Sequence, residues 1–148
     1  MKNVRVTWQP EADRFVAEGG HGGHPILVNA PHEGAPTGFS ASELLLASIG
    51  TCSAWDVVEI LRKARQHVNS VDVSVSGEQQ PDPPWPYTAI TVDFTVRGPG
   101  LRPATVHRAV KLSCTRYCSV IATVRGVATV DFHVTVVEEP ALAPSEPA

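Results

Sequence analysis

The sequence predicts an α+β domain, and three observations carry that reading. Segments near both ends and in the middle alternate polar and apolar residues with period two. One long run between them has no helix breaker except Gly50, and a second apolar stripe at helical spacing appears late. The resulting order is strands, long helix, strands, helix, strand, which differs from alternating βαβ units.

VRVTW (4–8) puts Val4, Val6 and Trp8 on one face, and Gln9-Pro10-Glu11-Ala12-Asp13 reads as the turn returning into RFVAEG. GGHGGH is loop and PILVNA a third short strand. APHEGAPTGF (30–39) is a Pro/Gly loop that cannot be helical, so a helix must start behind it. Ser40 followed by Glu43 matches a capping box there. The helix is expected to run to about Arg65, roughly 35–40 Å at 1.5 Å per residue. Leu44, Leu45, Leu46, Ile49, Trp55, Val57, Val58, Ile60 and Leu61 lie nearly all round it. A helix apolar on most sides is covered on several sides. One small sheet covers only one, so a second subunit is expected to supply the rest.

SVDVSVSGEQ (70–79) and YTAITVDFTVRG (87–98) are alternating strands joined by PDPPWP. Pro103 suits the first turn of another helix, with Val106, Ala109, Val110, Ser113, Cys114 and Tyr117 on one stripe. Around Tyr117 and Cys118 the chain is expected to break and restart as a helical turn, and VATVDFHVTVVE forms a last strand. This gives one domain over 1–138 and a disordered Pro-rich tail over 139–148.

With 43% hydrophobic and 18% charged residues, 148 residues can bury a core without disulfides. A net charge of −3 offers no basic footprint for nucleic acid. No uncharged apolar run reaches the roughly 18–20 residues a bilayer needs, and the alternating N-terminus is unlike a signal peptide. The expected location is the cytoplasm, where thiols stay reduced.

Three cysteines then leave core filler, metal ligand or redox chemistry. Cys52 sits in the long helix among Gly50, Thr51, Ser53 and Ala54, small neighbours that serve close packing or leave room for a substrate. Cys114 and Cys118 with one remote cysteine, and His21, His24, His32 and His133 scattered, are poor zinc spacing, so no metal is expected. A bridge between Cys114 and Cys118 would strain a helix, so a disulfide would join Cys52 to one of them. Cys118, opening a helical turn, has free N–H groups to favour a thiolate, whereas Cys114 reads as core.

ASELLLASIGTCSAWDVVEILRKAR and HRAVKLSCTRYCSVIATV together resemble the OsmC/Ohr family, nearer its OsmC-like branch, over about residues 2–138. The separation of Cys52 and Cys118, 118 − 52 = 66 residues, lies within the family's spacing. The resemblance implies an intertwined homodimer and a thiol peroxidase without cofactor. Cys52 would be peroxidatic and Cys118 resolving. An external dithiol, such as a lipoyl or thioredoxin-like protein, would reduce the disulfide, and the substrate would be a small organic hydroperoxide. It also implies that Arg14 of the hairpin stabilises the thiolate, held by Glu43. Their local readings are an exposed turn residue for Arg14 and the capping box for Glu43. Asp56 is expected to pair with Lys63 or Arg62 across the dimer. Trp55 and Phe39 are expected in core packing, the alternative being a substrate pocket, and His107 and Arg108 are expected in solvent. A non-catalytic ligand-binding dimer and a stoichiometric redox sensor are the rival functions.

Overall fold

The computed structural model describes residues 2–20, 22–29 and 38–142. His21, His32, most of the 30–39 loop and residues 143–148 of the expected tail lie outside them. The chain clusters into two compact units, Met1–Leu45 and Leu46–Ala148.

In the first unit β1 (Val4–Gln9), β2 (Arg14–Gly19) and β3 (Ile26–Asn29) form an antiparallel meander with Trp8 opposite Phe15 and Phe15 opposite Val28. Asp13 takes a φ of 46°, tolerable for an aspartate, to close the first turn. Val4, Val6 and Trp8 are all exposed within the chain. The helix α1 (Ala41–Lys63) begins here, and its capping box forms as expected. The Glu43 carboxylate accepts from the Ser40 N–H and hydroxyl, both at 2.8 Å, and the Ser40 hydroxyl accepts from the Glu43 N–H at 3.3 Å.

In the second unit α1 continues and ends two residues earlier than expected. Arg65 turns to a φ of 55°, and the N–H groups of Arg65 and Gln66 close onto the carbonyls of Arg62 and Leu61, a Schellman end. Length and mean hydropathy alone would let α1 cross a membrane. Ile49, Gly50, Ser53, Val57 and Leu61 form its buried stripe, the pattern of a core helix.

Strands β4 (Ser70–Gln79), β5 (Tyr87–Gly98) and β6 (Thr129–Glu138) form the second sheet with β5 in the centre. Ile90, Val92, Phe94 and Val96 of β5 alternate onto one buried face, and Phe94 lies opposite Val73 and Val134. They share a core with Ile49, Val57 and Leu61 of α1, with Val106, Ala109 and Val110 of α2 (Pro103–Leu112), and with Ile121 of α3 (Ser119–Val124). Burying each large aliphatic side chain contributes roughly 1.5–3 kcal/mol.

One pairing adds to the expected α+β order, and one expectation needs correction. β5 and β6 pair in parallel, so β5, the helical crossover and β6 make one βαβ unit, because parallel neighbours need a long connection. Glu139 and Pro140, expected in the free tail, are held: Asn69 Nδ2 donates to the Pro140 carbonyl at 3.0 Å and the Glu139 N–H reaches the Gly98 carbonyl at 3.3 Å.

Candidate thiol site

The crossover brings the site together. Its first helix does not end at Leu112 but widens into a π turn, Ser113–Tyr117. The Cys118 N–H then closes on the Ser113 carbonyl at 3.0 Å, five residues back. Cys118 is extended at φ −66° and ψ 106°, and α3 starts immediately behind it, as the sequence pattern suggested. The π turn also rotates Tyr117 out of the expected apolar stripe. It is 52% exposed, with the Arg116 guanidinium 5.8 Å over its ring.

Cys52 is half-buried and Cys118 buried, and the two thiols lie close enough for each to shift the ionisation of the other. Burial raises the Cys52 pKa, but donors outweigh it and hold the thiol below its ordinary value. They are the Cys118 thiol, the Val120 N–H, and the hydroxyl and N–H of Ser119. Ser119 and Val120 are the residues that sequence reasoning missed. Their signal was present in the helix start behind Cys118, but that start was assigned to the wrong sulfur.

The expectation that Cys118 itself would be the thiolate is therefore corrected. Burial pushes it up to about 11, opposed by the Ile121 N–H at 3.4 Å from its sulfur, with the hydrogen bond to Cys52 and the Cys52 charge adding to the rise. Cys114 is core, as expected. Burial pushes it up to about 12, the Cys118 charge adding, Arg125 opposing and Asp56 adding.

Within the chain Asp56 is held by the crossover. Its carboxylate accepts from the Ser113 hydroxyl at 3.1 Å, while Arg62 pairs with Glu59 in the preceding turn. The Ser113 hydroxyl also lies 3.1 Å from the Ser53 carbonyl, and the Ser53 hydroxyl reaches the Ile49 carbonyl at 2.7 Å. Ser53 and Ser113 are both fully buried. A groove of about 560 Å³ between α1 and the crossover is lined by Asp56, Glu59, Ile60, Lys63, Leu112 and Tyr117.

Trp55 and Phe39 are exposed in this chain, 67% and 50%, rather than in its core. His107 and Arg108 are exposed as expected. In the first unit Arg14 donates to Gln9 Oε1 at 2.9 Å. Among the described residues no ion pair joins Arg14 to Glu43, whose carboxylate is engaged by Ser40. His133, expected to have no ligand role, pairs with Asp93 at 2.7 Å on the exposed face of the second sheet.

The sequence and the fold both have known relatives. The sequence matches the family described as OsmC-like protein over residues 33–133. Protein YhfA of Escherichia coli is 41% identical over 118 residues, which span 79% of this chain and 84% of that protein. The crystal structure of a hypothetical protein from Aquifex aeolicus superposes with a TM-score of 0.76 at 30% identity, covering 92% of this chain and 97% of that one. An organic hydroperoxide resistance protein OsmC from Legionella pneumophila superposes with a TM-score of 0.69, covering 92% and 97% of the two chains; at 13% identity this is a likeness of fold. The chain belongs to the OsmC-like protein family.

Proposed function

We propose that the protein reduces organic hydroperoxides through a Cys52–Cys118 couple. The observation that carries this is the nearness of the two thiols, which bear on one another's ionisation, with the pKa of one held down and that of the other raised. The Cys52 thiolate attacks the distal peroxide oxygen, breaking the O–O bond; the alkoxide takes a proton and leaves as the alcohol, and Cys52 becomes a sulfenic acid. With the Cys52 charge gone, one contribution raising the Cys118 pKa is gone too. The Cys118 sulfur attacks the sulfenic sulfur, releasing water and forming the disulfide. A dithiol such as a lipoyl or thioredoxin-like protein then reduces it by exchange and is itself oxidised.

The donors on Cys52 do the work that the resemblance assigns to a cation. Ile60, Leu112 and Tyr117 along the groove next to Asp56 offer walls for an alkyl chain. The exposed faces of β1, Val4, Val6 and Trp8, and Trp55 of α1 are large apolar surfaces that a second copy would cover, consistent with a homodimer. A couple re-reduced at each turnover fits the cytoplasm and its dithiol pools.

The test is consumption of cumene hydroperoxide with dihydrolipoamide. Wild type should turn over, Cys52→Ser should not, and Cys118→Ser should react once and then stop. Full turnover by Cys52→Ser would eliminate the proposal.

A further inference from the structure

The donors on Cys52 come from the start of α3, which is anchored in the core through Ile121. Ser119 and Val120 begin a helix of only six residues, entered through an extended Cys118. Their place depends on the π turn before them, whose closing bond ends on the Ser113 carbonyl. Ser113 is fully buried, and its hydroxyl lies 3.1 Å from both the Ser53 carbonyl and the Asp56 carboxylate of α1. One residue therefore terminates the π turn with its carbonyl and binds the helix of Cys52 with its side chain. Ser53 and Asp56 directly follow Cys52, one residue and one helical turn on, so the tie holds the turn against the stretch of α1 that presents the sulfur.

We propose that Ser113, held by Asp56, is the positioning residue that seats the first N–H groups of α3 on the Cys52 sulfur. This deepens the peroxidase reading and rests on it for its role in turnover. Asp56 acts by accepting a hydrogen bond. Its negative charge by itself would disfavour a thiolate nearby, so the two roles have opposite signs. The other titratable or charged groups around the thiols are Cys114, Cys118 and Arg125.

The experiment follows iodoacetamide alkylation of Cys52 against pH in the full-length protein, read at the Cys52 peptide by mass spectrometry. No peroxide is involved, so this test and the peroxidase test fail separately. Ser113→Ala and Asp56→Ala should each move the profile to higher pH and slow alkylation on its rising limb by about fivefold, as expected from weakening charge-assisted hydrogen bonds to the sulfur. Asp56→Asn keeps an amide oxygen to accept from Ser113 and should stay within about twofold of wild type, a rescue on the scale of one modest hydrogen bond. An Asp56→Ala profile that stays in place or moves to lower pH would overturn the proposal, as would Asp56→Asn shifting as far as Asp56→Ala. An unshifted Ser113→Ala profile would do the same. Should Ser113→Ala fail to fold, the two Asp56 variants decide.

Discussion

Ser119 offers a graded perturbation of the Cys52 thiolate. Ser119→Ala removes the hydroxyl donor and keeps the N–H, while Ser119→Pro removes both. Proline is tolerated here for two structural reasons. Position 119 is the first residue of α3, where a missing N–H leaves no intrahelical bond unmade. Cys118 before it is already extended at ψ 106°, the region a following proline demands. Each lost donor on this half-exposed sulfur is worth about 1 kcal/mol, or about a fivefold loss of thiolate where the thiol is mostly protonated. The remaining thiolate is more basic and regains a little under half of that logarithmically, with a Brønsted coefficient of about 0.4–0.5. The net expectation is alkylation slowed about two- to threefold in Ser119→Ala and about sixfold in Ser119→Pro. The assay is Cys52 alkylation on the rising limb of its pH profile, with the α3 fold checked by hydrogen exchange. If Ser119→Pro retains α3 and reacts as fast as wild type, the donors at the start of α3 are not what acidifies Cys52.

Three further outcomes follow from the same structure. Cys114 and Cys118 ionise at about 12 and about 11 in the fold against a reference of 9.0, so the folded state binds more protons through that window. Stability should be intact below pH 9 and fall as pH rises toward 12, and Cys114→Val should flatten the fall in urea titrations. Glu43 is held below its reference of 4.5 by the Ser40 N–H first and the Ser40 hydroxyl second, so its stabilising effect is present above pH 4.5 and is lost as pH falls through the folded value. Ser40→Ala takes away the hydroxyl and keeps the N–H, so it should weaken that acid dependence without abolishing it, as followed by helical circular dichroism. A Cβ at Gly98 would lie 2.1 Å from the His67 carbonyl oxygen, so Gly98→Ala should cost about 1–3 kcal/mol or more by denaturant unfolding.

Most element boundaries were legible because periodicity is local. Val71, Val73 and Val75 alternate along β4 as the sequence suggests, and the Ser40–Glu43 box marks the start of α1 to the residue. The parallel pairing of β6 with β5 was not legible, since strand direction is not written in a period-two pattern. Nor was the exposure of Trp55 and Tyr117. An apolar side chain at helical spacing reports a potential to be buried, and the π turn that moved Tyr117 closes on Ser113, whose hydroxyl bonds Asp56 far away in sequence.

The site divides in the same way. By itself the sequence determined the elements, the two linked cysteine motifs, their spacing of 66 residues and so the family. Only the tertiary structure decided which sulfur is acidic. A hydrogen-bond donor acts on whatever atom the fold brings to it, and the N–H groups behind Cys118 meet the sulfur of Cys52, from another helix. Their neighbour in the chain is left buried beside that charge and is pushed the other way. A thiolate is stabilised by short contacts in space, and sequence separation carries no information about those until the chain has packed.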